Sequence, residues 1–218
     1  LWEKTLKQIG GELLSIDSNL VDQIWENQPP LKTHPIRIQR LEYAGESYQD
    51  KQKRVLEAME SQQVDHHVLT MLDSIAWFFN IRGQDVIYNP VVIAYAIISK
   101  TGSTLFMDTT TLNDSQKAHF EKQGIKLSPY QDFKHALQHL SGTVLLEPQS
   151  ASLWVQQQLS KATLQLAPSP ITLMKACKNA VEQAGMHAAH RRDAIAMVKF
   201  LHWLEKNWQG KTENSASH

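Results

Sequence analysis

The sequence predicts an α/β fold, with a mixed, largely parallel sheet flanked by helices and a long C-terminal helix after it. Between residues 47 and 168, apolar segments of strand length alternate with amphipathic segments of helix length. Strands joined in this way by crossover helices pair as a parallel or mixed sheet with helices on its faces. From residue 180 to residue 209 one amphipathic pattern continues without a proline, which predicts the long helix.

The composition is typical of a globular domain and gives no sign of a nucleic-acid or membrane partner. Hydrophobic residues make up 42% of the 218 residues and charged residues 20%. Lys plus Arg number 22 and Asp plus Glu number 22, so the chain has no net field that would attract a polyanion. Its richest apolar run, residues 91–98, has the length of a strand and is too short to cross a bilayer.

The single cysteine, Cys177, excludes an internal disulfide and fits a reducing, cytoplasmic location. It falls on a short apolar segment with no neighbouring histidine or cationic cluster, so we expect a buried structural thiol rather than a nucleophile. The chain starts without an initiator methionine and without the apolar core of a signal peptide. We therefore expect it to be a piece of a longer protein.

Residues 1–30 predict short elements that end in a linker. Residues 2–9 form an amphipathic helix stopped by two glycines, and residues 12–16 have the composition of a strand. Asp17, Ser18 and Asn19 are N-cap candidates for a second short helix. Prolines at positions 29, 30 and 35 block helix and favour an extended linker, so we place the first boundary there.

The central segment supplies the strands of the sheet and its flanking helices. Residues 47–63 predict a helix with Val55, Leu56 and Met59 facing inward, and residues 64–71 predict a strand. Residues 72–81 follow as a helix, and two further strands form a hairpin through a Lys-Thr-Gly turn, over residues 91–99 and 103–108. Helices and strands then alternate, over residues 113–124, 125–130, 131–142, 143–148, 150–160 and 162–168.

A Pro-Ser-Pro step at residues 168–170 ends this segment, and two helices follow it. The first is short, over residues 171–179, and Asn179 is a plausible N-cap of the second. The second helix carries four apolar residues on one face: Ile195, Val198, Leu201 and Leu204. A helix of this length needs a larger body to pack on than the remaining residues supply, and its apolar face could also pair with a second copy of the chain.

Histidine and carboxylate patterns give little support for a metal site or for catalysis. His66 and His67 are neighbours on a predicted strand and point to opposite faces, so they cannot share a metal. His187 and His190 lie on one side of the long helix with Asp193 near them, which leaves a metal site open as an alternative to a polar helix face. The sequence has no nucleophile elbow, P-loop, dinucleotide fingerprint or zinc-protease motif.

The stretch LDSIAWFFNIRGQDVIYNP, residues 72–90, is the best candidate for a functional loop, although a structural role is favoured. Asp73 can cap the start of its helix, and Gly83 can end it in a left-handed conformation. Arg82 can pair with Asp85, and an Asn-Pro step closes the loop before a buried strand. The consecutive aromatic residues fall on a helix and are expected in the core. The candidates for a structural or partner-facing role are Asp73, Trp77, Arg82, Gly83, Asp85, Asn89 and Pro90.

Two blocks, residues 72–98 and 168–206, resemble segments of one known family. The first block, LDSIAWFFNIRGQDVIYNPVVIAYAII, resembles the middle-domain signature of aminopeptidase P, the Xaa-Pro aminopeptidases of the three-domain type. The second resembles the segment that opens their catalytic domain, and residues 19–30, NLVDQIWENQPP, match the joint between their first two domains. The matching positions of the second block are Lys178, Asn179, Glu182, Gly185, Met186, Ala189, His190, Arg192, Asp193, Trp203, Leu204 and Glu205.

The resemblance implies a creatinase/prolidase N-terminal-like middle domain followed by a pita-bread catalytic domain. That catalytic domain binds two divalent metal ions, usually manganese, through two Asp, one His and two Glu, and a bridging hydroxide attacks the bond before a penultimate proline. The resemblance places those ligands beyond residue 218, so we expect no catalytic, cofactor-binding or metal-binding residue in this chain. It also implies a cytoplasmic enzyme, a peptide substrate with a penultimate proline, and a homodimer.

The resemblance divides the chain into three parts. Residues 1–30 are the tail of a preceding domain and a linker, residues 31–168 a non-catalytic middle domain, and residues 169–218 the first helices of a truncated catalytic domain. We expect the chain to support, orient and help to dimerise the catalytic domain. In two-domain relatives the corresponding loop reaches toward the partner's active site, and loop 82–90 could do the same. Two alternatives stay open: a creatinase-like binding module without peptidase activity, and a creatinase or prolidase, although those normally have two domains.

Overall fold

The computed structural model describes residues 2–14, 16, 19–29 and 33–208, in two compact units divided after residue 32. The first unit contains two short helices, α1 (Trp2–Gln8) and α2 (Leu20–Ile24). The side chain of Asn19 caps α2 by accepting a hydrogen bond from a backbone N–H of the helix at 3.0 Å, which confirms Asn19 as a cap. The other two predicted candidates, Asp17 and Ser18, lie outside the described residues.

The predicted strand over residues 12–16 is wrong for the part of it that the structure describes. Residues 12–14 and 16 have no regular secondary structure. A strand exists only when its backbone N–H and C=O groups pair with a neighbouring strand, and the described part of this unit contains none. A short apolar run without a partner therefore stays irregular.

The second unit contains the sheet, its covering helices and the long helix. Every helix and strand predicted from residue 47 onward is present, whereas β1, α3 and β3 were not predicted. In chain order its elements are β1 (Arg37–Ile38), α3 (Leu41–Ala44), α4 (Tyr48–Ser61), β2 (His66–Leu69), α5 (Leu72–Phe78), β3 (Ile81–Arg82), β4 (Tyr95–Ser99), β5 (Gly102–Met107), α6 (Asp114–Lys122), β6 (Ile125–Pro129), α7 (Phe133–His139), β7 (Gly142–Leu146), α8 (Leu153–Gln158), β8 (Ala162–Leu166), α9 (Pro170–Ala176) and α10 (Ala180–Asn207).

Six strands form one mixed sheet in the order β6-β5-β4-β2-β7-β8, which confirms the predicted fold class. The pairs β5–β6, β2–β7 and β7–β8 are parallel, whereas β4 is antiparallel to both β2 and β5. The β4–β5 pair is the predicted hairpin, and its register places Ser99 opposite Gly102. β1 and β3 form a separate antiparallel pair in which Arg37 lies opposite Arg82.

Helices cover both faces of the sheet, and each face has its own apolar core. Residues of α4, α5, α6 and α9 pack on one face, and residues of α7 and α8 pack on the other. In β4 the consecutive residues Ala96, Ile97 and Ile98 are all buried, with Ile97 in one core and its two neighbours in the other. A continuous apolar run of this kind is what a strand covered on both faces requires.

The predicted inward face of α4 is confirmed. Val55 and Met59 are fully buried, and Leu56 is partly buried against the same core. The buried stripe also contains Tyr48 and Lys51, so its members recur every three or four residues along the helix. Only 1% of Lys51 is exposed, and a lysine is rarely buried to that extent.

Residues 33–40 are held on the second unit by side chains from later segments. Asp85 accepts a hydrogen bond from the backbone N–H of His34 at 2.8 Å. Asp108 accepts one from the hydroxyl of Thr33 at 2.6 Å. Hydrogen bonds from Thr110 and Thr33 hold the pKa of Asp108 below its usual range. These contacts fix the approach of the chain to β1.

His67 fastens the start of α9 to the sheet. It is fully buried in β2, with its Nε2 2.8 Å from the Ser169 hydroxyl and its Nδ1 3.2 Å from the Leu145 carbonyl. Because a carbonyl only accepts, Nδ1 carries the proton and Nε2 accepts the hydrogen bond of the Ser169 hydroxyl. Ser169 in turn caps α9 by accepting from the backbone N–H of Ile171 at 3.2 Å. Burial lowers the pKa of His67 to about 4.

α10 has 28 residues and starts at its predicted cap, Asn179. Its predicted apolar face is largely uncovered, since Ile195 is 54% exposed, Val198 65% and Leu201 53%, while Leu204 is partly exposed. Although α10 is the longest helix in the described part of the chain, no helix there has the combination of length and apolar character needed to cross a membrane.

Candidate functional site in the groove beside the long helix

The start of α10, α3, α5 and the loop after β3 enclose a groove with a volume of about 810 Å³, called the α10 groove below. It brings together five of the seven candidate residues named from the sequence: Asp73, Trp77, Arg82, Asn89 and Pro90. The other two, Gly83 and Asp85, are not among its lining residues. The α10 residues that line it end at Ala189, so only the first part of the helix contributes.

The charges around the α10 groove balance, and several are already paired within the protein. The groove is lined by three acidic and three basic side chains: Glu42, Asp73, Glu182, Arg82, Lys175 and Lys178. Asp73 forms an ion pair with Lys175. Glu182 accepts a hydrogen bond from the indole of Trp77 at 3.1 Å and one from the backbone N–H of Asn179 at 2.9 Å. The groove is therefore an amphipathic surface without a strong field of one sign.

α10 begins at a fixed point because its N-cap is held from both sides. Asn179 accepts from the backbone N–H of Glu182 at 2.9 Å, and Glu182 accepts from Asn179 in return, which is a capping box. The amide of Asn179 also donates to the carbonyl of Ala44 at 2.8 Å. Gly45 has a left-handed φ of 69°, and a side chain there would collide with the Asn179 amide. Only a glycine fits this contact between α3 and α10.

We expect Gly45→Ala to lower the free energy of unfolding by about 2 kcal/mol, from left-handed strain plus loss of the Asn179 cap. Gly124→Ala is the matched control, because Gly124 has a φ of 70° but open space around its missing side chain. Gly124→Ala should lower the free energy of unfolding by about 1 kcal/mol, from the left-handed backbone strain alone. Denaturant unfolding measures both variants, and equal losses would contradict the contact with Asn179.

A buried lysine joins α4 to this site. The Lys51 ammonium donates to the carbonyl of Trp77 at 2.7 Å and to the side chain of Asn80 at 2.6 Å, and it lies 4.2 Å from the centre of a Trp77 ring. Burial lowers the pKa of Lys51 to about 8, with Glu182 and Glu46 partly offsetting that effect. The one sequence signal for the burial of Lys51 is its position on the apolar stripe of α4.

Trp77 is in the core, as predicted, and it also carries a polar contact that was not predicted. The residue is 6% exposed and packs within the larger apolar core. Its indole donates to Glu182, so it lies between the ammonium of Lys51 and the first turn of α10. Contacts of Trp77 with Lys51 and with the partly buried Glu182 therefore link α4, α5 and α10.

The predicted cap by Asp73 is wrong. The N-cap of α5 is Met71, and no side chain caps it. Asp73 lies in the first turn, where a carboxylate is favoured by the helix dipole, and its ion pair with Lys175 ties α5 to α9. Asp73 thus forms a tertiary ion pair with α9 and does not cap the start of α5.

The predicted pairing of Arg82 with Asp85 is also wrong. The Nη1 of Arg82 donates to the carbonyls of Ala76 and Ile81, at 2.9 and 2.8 Å. Asp85 is turned inward, where it accepts from the backbone N–H groups of His34 and Ile93, both at 2.8 Å. Two buried backbone donors need an acceptor there, and the carboxylate supplies one oxygen to each.

Gly83 does not end α5, contrary to the prediction. The helix ends at Phe78, and Asn80 takes the left-handed conformation after it, with φ 53°. Gly83 is needed for a different reason, since a side chain there would lie 2.7 Å from the carbonyl oxygen of Val91. The backbone N–H of Asn89 donates to the carbonyl of Val86 at 3.1 Å, and the next strand, β4, begins at Tyr95.

The remaining sequence candidates form no catalytic or metal-binding group. Cys177 is exposed at the end of α9, so the predicted buried thiol is wrong; the helix stops there, and the residue turns to solvent. His187 and His190 lie on an exposed part of α10, where His190 has its ring near the Met186 carbonyl, 2.9 Å away. Among the described residues no three His, Cys, Asp or Glu side chains come together as a metal-binding group.

The chain belongs to the creatinase/prolidase N-terminal domain family, whose model matches residues 27–182. It is 30% identical to aminopeptidase P1 of Lotus japonicus, over 95% of this chain and 38% of that protein. It is 33% identical to a probable Xaa-Pro aminopeptidase P of Sordaria macrospora, over 92% and 35% respectively. The resemblance to aminopeptidase P noted in the sequence is thereby confirmed.

One solved structure extends this similarity to three dimensions. The X-prolyl aminopeptidase of Caenorhabditis elegans, described as a cytosolic enzyme with a di-nuclear active site, superposes with a TM-score of 0.85 at 29% identity. The match covers 96% of this chain and 35% of that one. The chain therefore spans about a third of the length of the relatives it matches. The donor set of a dinuclear centre does not occur in the described residues, so no metal-dependent step is assigned to them.

Proposed function

We propose that this chain is a non-catalytic part of a metal-dependent Xaa-Pro aminopeptidase, and that it supports and orients the catalytic part through α10. One observation carries the proposal. The first turn of α10 is held at Asn179 and Glu182, whereas the apolar face further along the helix is open to solvent. A helix anchored at one end and uncovered at the other is suited to carry a further folded body on its free face.

The proposed activity of the whole protein is removal of an N-terminal residue that precedes proline. It is supported by relatives named as aminopeptidase P1 and as probable Xaa-Pro aminopeptidase P, which match more than nine-tenths of the chain. We propose two divalent metal ions, manganese by preference, held by residues outside the described part, since the C. elegans enzyme is described as di-nuclear. When bound, such a pair supplies an activated water for hydrolysis. That enzyme is also described as cytosolic, and we propose the same location here.

The proposed domain arrangement follows the sequence expectation. Residues 1–30 are the tail of a preceding domain, residues 31–168 the middle domain and residues 169–218 the start of the catalytic domain. We further propose a homodimer in which the apolar face of α10 takes part, and a partner-facing role for loop 82–90. Support for that loop comes from Ile87, 80% exposed, and Tyr88, fully exposed at its tip.

The chain by itself is expected to show no hydrolysis of an Arg-Pro-Pro peptide when manganese is added, because its described residues lack a metal-binding group. Release of free arginine, measured by chromatography, checks this. A full-length X-prolyl aminopeptidase under the same conditions is the positive control. Turnover by the chain that a chelator abolishes would reject the non-catalytic role, and so would tight uptake of two manganese ions in calorimetry.

A binding module without peptidase activity is the second candidate, and the α10 groove favours it. A cavity of about 810 Å³ with both apolar and charged lining is large enough for a ligand or a short peptide segment. The two candidates differ in the continuation of the reading frame. A following segment with Asp, Asp, His, Glu and Glu in order supports the enzyme, and a stop codon near residue 218 supports the module.

A further inference from the structure

Two arginines face each other on the short β1–β3 pair. Arg37 and Arg82 are directly opposite in register, so both side chains lie on the same face of the pair. Like charges in this arrangement destabilise a sheet. Burial and the positive charge of Arg37 lower the pKa of Arg82, and Glu182 partly offsets them. A bound anion would reduce the repulsion between the two guanidinium groups, so the pair favours anion binding.

Within the described residues, neither Arg37 nor Arg82 forms an ion pair with a carboxylate. Arg40 and Arg54, nearby in sequence, each form an ion pair at 2.9 Å with a glutamate. The side chain of Arg37, in contrast, has neither a hydrogen-bond nor an ion-pair partner among the described residues. The hydrogen bonds of Arg82 to described residues leave only from Nη1, so its Nη2 and Nε donors stay available.

Both arginines line a second cavity, of about 750 Å³, which shares Arg82, Asn89 and Pro90 with the α10 groove. No acidic side chain is among its lining residues, which include Ile87 and Tyr88 at the tip of the loop. The carboxylate of loop 82–90, Asp85, does not line the cavity, because it is turned inward to two backbone N–H groups. The cavity is therefore a pocket whose lining carries two cations and no carboxylate.

The rim of this pocket is apolar and held in a strained shape. Ile87 is 80% exposed and Tyr88 fully exposed, and Tyr88 has a left-handed φ of 61°, which is uncommon for a bulky residue. The bridge between Val86 and Asn89 holds this tip in place. Strain that the surrounding structure maintains is a feature of binding sites.

We propose that Arg37 and Arg82 bind a carboxylate of an acidic segment on a separate peptide, with an apolar neighbour of that carboxylate packing on Ile87 and Tyr88. Planar guanidinium groups fit a carboxylate with paired hydrogen bonds, and a tyrosine beside them is a common interface anchor. A nucleic acid is disfavoured, because the chain has no net positive charge and the pocket has only two cations. The inference does not depend on the proposed peptidase activity.

The test compares two probe peptides, acetyl-Leu-Glu-Leu-amide and acetyl-Leu-Gln-Leu-amide, by calorimetric titration of the chain at about 50 mM salt. The glutamate peptide is expected to bind at least about tenfold more tightly than the glutamine peptide. Arg37→Gln should remove most of that difference. Arg40→Gln, which deletes the same charge from a residue already paired with Glu42, is the matched control and should keep it.

A second readout does not need the ligand. Because Arg37 repels Arg82 in the free protein, Arg37→Gln is expected to raise the melting temperature by about 1–3 °C at low salt, whereas Arg40→Gln should not raise it. Equal affinity for both peptides, or an unchanged affinity difference in Arg37→Gln, overturns the proposal. So does tighter binding of inorganic phosphate or of a short oligonucleotide. Arg37-dependent self-association in sedimentation would mean that a second copy of the chain occupies the pocket, which would agree with the partner-facing role proposed for loop 82–90 and would overturn the binding of a separate peptide.

Discussion

Lowering the pH from about 7.5 to about 4 is expected to remove roughly 3 kcal/mol of the free energy of unfolding through His67 alone. Burial lowers the pKa of this residue in the folded state from 6.5 to about 4. The unfolded chain therefore takes up the proton first. The stability that neutral His67 contributes is complete above pH 6.5 and is lost progressively as the pH falls from there to about 4.

His67→Gln removes this titration and should flatten the dependence of stability on pH. The glutamine keeps a neutral polar group near Ser169 and the Leu145 carbonyl, so we expect a loss of about 1–2 kcal/mol at neutral pH from imperfect hydrogen bonds. At about pH 4 the variant should be no less stable than the unmodified chain. Denaturant titrations at a series of pH values measure the difference in the free energy of unfolding between the two proteins. The contribution of the carboxylates, which both proteins share, cancels in this difference.

His66→Gln is the matched control for that experiment. His66 precedes His67 on β2, and its pKa is also lowered by burial, although it is only partly buried. Its substitution should change the pH dependence much less. If His66→Gln flattens the curve as much as His67→Gln, the assignment of the effect to the buried contact with Ser169 is wrong.

Lys51→Met is expected to lower the free energy of unfolding by about 2–4 kcal/mol at neutral pH. The methionine fills similar volume, but it leaves the carbonyl of Trp77 and the side-chain oxygen of Asn80 without their donor in a buried position. It also removes the cation beside the Trp77 ring. Lys53→Met, an exposed change on the same helix, is the control and should stay within about 0.5 kcal/mol.

The loss in Lys51→Met should grow at alkaline pH. The folded-state pKa of Lys51 is lowered from 10.5 to about 8, so the folded state gives up this proton before the unfolded chain does. The stability of the unmodified chain therefore rises as the pH increases from about 8 to 10.5, whereas the variant lacks this contribution. We expect the difference to widen by about 2 kcal/mol between pH 7.5 and pH 10. A constant difference would mean that Lys51 is not buried as a cation.

The larger elements could be predicted because their sequence patterns are long. The alternation of strands and helices from residue 47 onward, the hairpin of β4 and β5, and α10 with its cap at Asn179 all follow from periodicity and end signals. The missed elements are short. β1 and β3 have two residues each and α3 has four, too few for any period to appear.

The candidate site was only partly predictable, because its contacts join residues that are distant in sequence. The signature of residues 72–90 located the groove, yet the partner of Asp73 is Lys175, over a hundred residues later. The sequence predicts local pairing of Arg82 with Asp85, whereas in the structure the Asp85 carboxylate accepts hydrogen bonds from the backbone N–H groups of His34 and Ile93. A polar side chain forms hydrogen bonds or ion pairs with the groups that the fold brings next to it, and a single sequence does not reveal which distant residues those are.

The anchoring of α10 at Asn179 makes the helix a lever with its pivot in the first turn. Its 28 residues give a length of about 42 Å, so a tilt of about 5° at the pivot displaces the far end by about 4 Å. The contacts of Gly45 and of the Trp77 indole with the first turn of α10 thus determine the position of any body that packs on the distal face of the helix. Small repacking among these residues would be magnified into a shift comparable to the spacing of neighbouring strands.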